Sequence, residues 1–142
     1  MKRVFISYAE EDRFYKEELI KHLSSLIQLG KINIWHKDIL IVGSIWDKEI
    51  RKNIKKSDIS LFMISSYSLA SEYIKNVELA IALSRYNKNK QLIIPIITRP
   101  CDWEYPPLSN FQALPERIKA LSLWDDLDEA LVNVVKGLSK VL

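Results

Sequence analysis

The sequence has few of the residues that mark secreted or disordered proteins. It holds one cysteine, three glycines and five prolines in 142 residues. A single cysteine, Cys101, cannot close an internal disulfide, which is typical of a chain from a reducing compartment. Low glycine and proline content, with no repeat or low-complexity tract, is typical of an ordered domain. The composition therefore predicts one folded domain over residues 1–142.

Long apolar runs are also missing. The apolar part of the N-terminus is limited to Val4-Phe5-Ile6, which is too short for a signal peptide. No run approaches the roughly 20 apolar residues that a membrane-spanning helix needs. We therefore predict a cytoplasmic protein that has no membrane partner.

Neither charge sign dominates, since 21 Lys and Arg stand against 18 Asp and Glu. The densest basic cluster, Lys48–Lys56, falls on a predicted amphipathic helix, so we interpret it as a solvated face. Because no basic strand surface is interleaved with aromatic residues, we predict no nucleic-acid partner. The two histidines, His22 and His36, lack metal-ligand spacing, so we predict no metal site.

What the chain does contain is a regular alternation of short apolar runs with amphipathic segments. The apolar runs predict five strands, at Val4–Ile6, Lys31–Trp35, Asp58–Ile64, Leu92–Ile97 and Ala120–Ser122. Alternating strands and helices indicate an α/β protein whose parallel sheet is covered on both faces. Right-handed crossovers then favour a flavodoxin-like, doubly wound five-stranded parallel sheet.

The composition of the runs indicates their place in the sheet. Asp58–Ile64 is apolar on both faces, which is typical of a central strand. Lys31–Trp35 alternates polar and apolar residues, which is typical of an edge strand. Pro95 removes one backbone donor from the fourth run, so that strand should lie near an edge or carry a bulge.

The segment that follows the central strand is the best candidate for a functional site. A single helix from about Ser71 to Tyr86 would place Glu78 on nearly the same stripe as Ser71 and Ile74. Ligands of doubly wound sheets bind at the carboxyl ends of the strands, near the point where the winding reverses. That rule selects three loops, residues 8–12, 36–44 and 65–71. The residues alone leave open whether Glu78 faces a ligand or solvent, and whether Ser71 is a contact or a helix cap.

Several sequence motifs, which occur in the same order as in the family, resemble those of Toll/interleukin receptor (TIR) domains. They are Phe5-Ile6-Ser7-Tyr8 with the acidic residues after it, the Trp35–Trp46 segment with its glycine, and Ser71-Glu72-Tyr73 with Glu78. Three further phrases, Ile94–Trp103, Gln112–Pro115 and Ser122–Asp126, are similar to the bacterial branch of the family. The resemblance covers essentially the whole chain.

The resemblance implies an enzyme that consumes NAD+ as a substrate and needs no cofactor. Related TIR domains cleave the nicotinamide–ribose bond and release nicotinamide with ADP-ribose or a cyclic isomer. They use a glutamate on the helix after the third strand, and the matching residue is Glu78. The resemblance further implies activation by self-association through TIR–TIR contacts and a role in bacterial anti-phage immunity. It also allows the chain to be the N-terminal effector part of a longer protein with a sensor module.

The resemblance also implies a set of residues that bind NAD+. By family position these are Ser7, Tyr8, Ala9, Asp38, Gly43, Trp46, Ser71 and Ile74. The chain departs from the family pattern at two places. Val42 stands where relatives commonly have a proline before the glycine, and Ile74 stands where they often have Cys or Trp. The residues by themselves allow Trp46 to be either core or pocket wall.

Two other functions remain open at this point. A non-catalytic scaffold would use the same fold to signal only through TIR–TIR contacts, but that class generally lacks the glutamate found at position 78. A nucleoside deoxyribosyltransferase-like enzyme would use the glutamate as a covalent nucleophile, and the remaining phrases match it less well.

Overall fold

The sheet has four parallel strands in the order β2-β1-β3-β4. The computed structural model describes residues 1–142. The strands are β1 (Lys2–Ser7), β2 (Ile32–Trp35), β3 (Ile59–Ile64) and β4 (Leu92–Ile97). All six residues of β3 are buried, and β2 pairs only with β1, so the predicted central and edge strands are confirmed.

Five α-helices surround the sheet. They are α1 (Arg13–Gln28), α2 (Trp46–Lys56), α3 (Ser66–Ala70), α4 (Ala80–Asn87) and α5 (Leu127–Ser139). On one face, Leu19 and Leu23 of α1 pack in one cluster with Leu131 of α5. On the other face, Ile54 of α2 and Ala82 of α4 join a second cluster. The predicted doubly wound α/β architecture is therefore confirmed. No helix of this fold has the length and apolarity needed to cross a membrane.

The predicted fifth strand, Ala120–Ser122, is wrong. A short 3-10 helix occupies Leu121–Leu123 instead. The position beyond β4 is taken by Leu114, which forms an isolated bridge with Ile96, while the Ser122 N–H donates to the Thr98 carbonyl at 3.0 Å. A run of three residues makes too few backbone hydrogen bonds to form a strand in competition with these contacts, so the sheet ends at β4.

Pro95 is accommodated because β4 is an edge strand. The Ile97 N–H, two residues further on, donates outward to the Leu114 carbonyl at 2.9 Å. Since alternate residues of a strand point their N–H groups to the same side, the Pro95 nitrogen also faces away from β3. The pairing between β3 and β4 therefore loses no hydrogen bond, as predicted for a strand near an edge.

The predicted helix from about Ser71 to Tyr86 is present as one continuous helical segment over residues 72–87, and a separate short helix, α3, precedes it. Ser65 caps α3 through a capping box with Ser68, and α3 ends at Ala70. The chain becomes helical again after Ser71, whose hydroxyl accepts a hydrogen bond from the Ile74 N–H at 3.3 Å. Ser71 is therefore a cap, one of the two roles that the sequence left open.

A π-helical segment, Ile74–Leu79, leads into α4. Its i→i+5 hydrogen bonds place more residues in each turn than an α-helix does, and such segments are frequent at functional sites. Ser71, Ile74 and Glu78 nevertheless share one face, as predicted, because all three line the same cavity. Glu78 lies within this segment.

Candidate functional site

A cavity of about 580 Å³ lies at the carboxyl ends of β1 and β3. Its position agrees with the rule for doubly wound sheets. Six of the predicted site residues line it, namely Tyr8, Ala9, Trp46, Ser71, Ile74 and Glu78. No three His, Cys, Asp or Glu side chains lie close enough together to hold a metal ion.

The other three predicted site residues lie outside the lining of this cavity. Ser7 is buried at the end of β1, where only 2% of its surface is exposed. Asp38 forms salt bridges with Arg13 and Lys16 of α1. Gly43 occupies an exposed turn with φ +92°, a backbone conformation that favours glycine. Any effect of these three residues on a ligand would therefore be exerted through the neighbouring residues.

Glu78 is a buried carboxylate that borders the cavity, with 7% of its surface exposed. Burial raises its pKa, whereas the Ser7 hydroxyl and the charge of Lys37 lower it, and burial has the largest effect. The Ser7 Oγ forms no hydrogen bond of good geometry, so it stabilises the charged form of Glu78 only weakly. The site therefore holds a poorly solvated acid that is available to an incoming positive charge.

Replacing Glu78 by glutamine is expected to stabilise the protein at neutral pH. Because the pKa of the folded carboxyl lies above its usual 4.5, the wild type loses stability as the pH rises from 4.5 through that raised pKa. Below pH 4.5 the carboxyl is protonated in both states, so the difference should vanish. Thermal unfolding of both proteins at about pH 7.5 and about pH 4 measures this effect. Equal stability at the higher pH would contradict the expectation.

Two aromatic rings form one wall of the cavity. The Trp46 and Tyr73 ring centroids lie 5.1 Å apart with an interplanar angle of 51°. The Tyr73 hydroxyl donates to Asp47 Oδ1 at 2.8 Å, and Asp47 also accepts from Arg51 Nε at 2.9 Å. Trp46 is 56% exposed, so it is pocket wall and not core. This wall can stack against a planar ring of a ligand.

Tyr8 lies among three cations at the other side of the cavity. Lys37 Nζ is 4.5 Å and Lys16 Nζ is 4.9 Å from the centroid of its ring, and the Arg13 guanidinium is 5.9 Å away. Such cations are attracted to the face of an aromatic ring. Burial and the nearby Asp38 raise the pKa of the Tyr8 hydroxyl, so this residue stays neutral.

Asp38 holds the start of the loop after β2. Lys16 Nζ donates to its carboxylate at 2.6 Å and Arg13 Nη1 at 2.5 Å. Burial raises the pKa of Asp38, but the hydrogen bonds from Lys16 and Arg13 outweigh burial, so the net shift is downward. Asp38 thus remains ionised and ties this loop to α1.

The rest of that loop is apolar and exposed. Ile41 is 79% exposed, Val42 is fully exposed and Ile45 is 68% exposed. These residues come shortly before Trp46 in the chain, and Trp46 lines the cavity. Exposed apolar groups that lie next to one another often mark a contact surface.

Sequence reasoning missed a buried network that joins the ends of three strands. Asp12, which is fully buried, accepts hydrogen bonds from the Ser65 hydroxyl and from Arg99 Nε, the latter at 2.8 Å. These groups follow β1, β3 and β4. The acidic residues after β1 and the arginine after β4 were visible in the sequence, but no spacing rule joins positions so far apart.

The chain is similar to proteins of known family over nearly its whole length. The family model for the TIR domain matches residues 4–134. An uncharacterized protein of Sinorhizobium fredii, y4lF, is 34% identical over 137 residues, which are 96% of this chain and 42% of that protein. A probable 2′ cyclic ADP-D-ribose synthase of Methanobrevibacter olleyae, TcpO, is 27% identical over 120 residues, 84% of this chain and 33% of that protein. The chain therefore spans less than half the length of these curated relatives.

Solved structures share the fold. The TIR domain of the Toll-related receptor TRR-2 of Hydra magnipapillata has a TM-score of 0.64 at 23% identity and covers 99% of this chain and 98% of its own. A chain of the RPS4 and RRS1 TIR domain heterodimer has a TM-score of 0.61 at 15% identity, with 99% and 97% covered. The match of fold and of the family model across the chain agrees with the resemblance seen in its motifs, and the chain belongs to the TIR domain family.

Proposed function

We propose that this domain is an NAD+ nucleosidase that cleaves the bond between nicotinamide and ribose. The observation that carries the proposal is the buried Glu78 carboxylate beside a cavity with an aromatic wall. The similarity to a relative named as a probable cyclic ADP-ribose synthase supports the same chemistry. NAD+ is the substrate, so the proposal requires no separate cofactor.

The chemistry suits the residue type. As the glycosidic bond breaks, positive charge develops on the ribose, and a nearby carboxylate stabilises it. The effect is large in a site that excludes water, because poorly screened charges interact strongly. Nicotinamide leaves as a neutral molecule, so the leaving group needs no Lewis acid. Water then captures the ribose to give ADP-ribose, or the adenosine half of the same molecule captures it to give a cyclic isomer, and the proton of an attacking water or hydroxyl passes to solvent.

The walls of the cavity suit the rest of the substrate. Trp46 and Tyr73 offer an aromatic face for a planar ring. Ser71, Ile74 and Tyr8 line the same cavity as this wall and Glu78. In this arrangement the ring stacks on the wall while the ribose lies against Glu78.

The direct test is to incubate the purified protein with NAD+ and separate the products by chromatography. The protein is assayed dilute, at high concentration and clustered on a support. We expect release of nicotinamide that increases with clustering, and the second product distinguishes linear from cyclic ADP-ribose. Clustered protein that self-associates but leaves NAD+ intact would favour the non-catalytic scaffold.

Self-association through the exposed loop is the second part of the proposal. Val42→Asp is expected to reduce both self-association and activity about tenfold, because it places a charge where an apolar side chain would be buried. Val132→Asp is the matched control, since Val132 is also exposed, at 42%, but belongs to α5 and not to the loop. Light scattering and NAD+ turnover measure the effect. Equal losses in the two variants would contradict a role for the loop.

The domain also fits an effector within a longer protein. The curated relatives are more than twice as long as the segment they share with this chain, which leaves room for a sensor module. We propose that such a module clusters the domain in the bacterial cytoplasm during phage infection. Detection of the full-length gene product at 16.6 kDa would contradict a fused module.

A further inference from the structure

The lining of the cavity has one cation and three carboxylates. Glu10, Glu11 and Glu78 contribute the carboxylates, and Lys37 is the only Lys or Arg in the lining. A dinucleotide such as NAD+ carries a pyrophosphate with two negative charges. Placing it beside three carboxylates is unfavourable unless a cation offsets the repulsion. Within the lining, only Lys37 can do so.

Lys37 is placed to exchange partners when a ligand binds. Its Nζ lies 3.4 Å from Glu10 Oε2 and 4.5 Å from the Tyr8 ring centroid. Glu10 has a second and shorter partner, since Arg13 Nε donates to it at 2.6 Å. Lys37 can therefore turn from Glu10 to an incoming anion while Glu10 remains paired with Arg13.

The backbone of Lys37 is held in place, whereas its side chain is partly exposed. The next residue, Asp38, is held by Arg13 and Lys16, which fixes the chain at this point. The Lys37 side chain is 35% exposed, so its ammonium group can change position. Lys37 and Glu78 line the same cavity, and the charge of Lys37 lowers the pKa of the Glu78 carboxyl. A phosphate that binds Lys37 would thus lie within the cavity that Glu78 borders.

We propose that Lys37 binds the pyrophosphate of the dinucleotide and makes the site select phosphorylated nicotinamide substrates over the nucleoside nicotinamide riboside. The inference rests on the proposed NAD+ cleavage. Nicotinamide riboside contains the same scissile bond but lacks phosphate, so Lys37 does not contribute to its binding. Lys37 is thus a specificity-determining residue, distinct from the carboxylate that acts on the ribose.

The test compares the ratio of kcat/KM for NAD+ to kcat/KM for nicotinamide riboside in clustered wild type, Lys37→Met and Lys37→Arg. We expect Lys37→Met to lower this ratio about 10- to 100-fold, mainly through KM for NAD+, as loss of a charge-assisted hydrogen bond predicts. Lys37→Arg should retain most of the ratio. Lys48→Met, which removes an exposed cation of α2 outside the cavity lining, is the matched control and should leave the ratio unchanged.

Equilibrium binding of ADP separates this inference from the proposed function. We expect Lys37→Met to bind ADP about 10- to 100-fold more weakly than the wild type. An unchanged affinity for ADP, or an unchanged substrate ratio, would overturn the role of Lys37 even if NAD+ is cleaved. Lys37-dependent ADP binding without any NAD+ turnover would instead retain the pyrophosphate site and reject the nucleosidase.

Discussion

Glu78→Gln is expected to lower kcat for NAD+ cleavage by about 10²- to 10³-fold or more. Glutamine keeps the shape of the side chain and its capacity to bond the ribose hydroxyls, but it carries no charge to stabilise the developing cation. Only 7% of the Glu78 surface is exposed, so solvent compensates poorly for the lost charge. Nicotinamide release under single-turnover conditions measures the chemical step directly.

Glu72→Gln is the matched control for this loss. Glu72 is exposed, lies just before the same π-helical segment and accepts a hydrogen bond from Asn76 at 3.1 Å, but it does not line the cavity. We expect it to keep wild-type activity. Because Glu78→Gln should also be the more stable protein at neutral pH, its inactivity cannot be attributed to unfolding. A Glu78→Gln variant with more than a tenth of wild-type activity would rule out the carboxylate as the main source of rate enhancement.

Arg99→Met is expected to lower the free energy of unfolding by about 3 kcal/mol. Arg99 pairs with the fully buried Asp12 at 2.8 Å, donates to the Glu11 carbonyl at 3.0 Å and lies over the rings of Tyr15 and Tyr67. Its removal leaves a buried carboxylate without its cation. We expect a value at the lower end of the range for a broken buried pair, because the Arg99 side chain is 38% exposed. Urea unfolding measures the change.

Two further variants test the origin of that loss. Lys140→Met removes a surface cation that lies 3.3 Å from Glu116, and it should cost less than about 1 kcal/mol. Asp12→Asn combined with Arg99→Met should be less destabilised than Arg99→Met alone, because the double variant buries no unpaired charge. If Arg99→Met costs no more than Lys140→Met, the buried pair contributes little to stability.

The sequence predicted the features that depend on local pattern. The apolar runs located four strands, and the capping chemistry of Ser71 was one of its two predicted roles. Six of the nine predicted site residues line the cavity, because the carboxyl ends of parallel strands meet at one edge of a sheet. Glu78 was placed correctly beside the cavity, although the stripe used to place it was α-helical.

The features that the sequence did not predict depend on distant contacts. The run at Ala120–Ser122 looked like a strand, but Leu114 occupies the edge of β4. Asp12 and Arg99 are 87 positions apart, so no local period relates them. Asp38 forms salt bridges with two cations of α1 and does not line the cavity. In each case the outcome depends on which side chains the tertiary fold brings together.

The π-helical segment lets one continuous helix direct its first part toward the cavity and its last part toward the sheet. A uniform α-helix would have to serve both contacts with the same face. Each residue of an α-helix turns the chain by about 100°, so one surplus residue rotates everything after it by that amount. Residues before and within the segment, such as Ser71 and Glu78, border the cavity, while Ala82 beyond it is fully buried against the sheet. Removing one residue between 74 and 79 would therefore bring the binding face and the core face out of phase, even if every remaining side chain were retained.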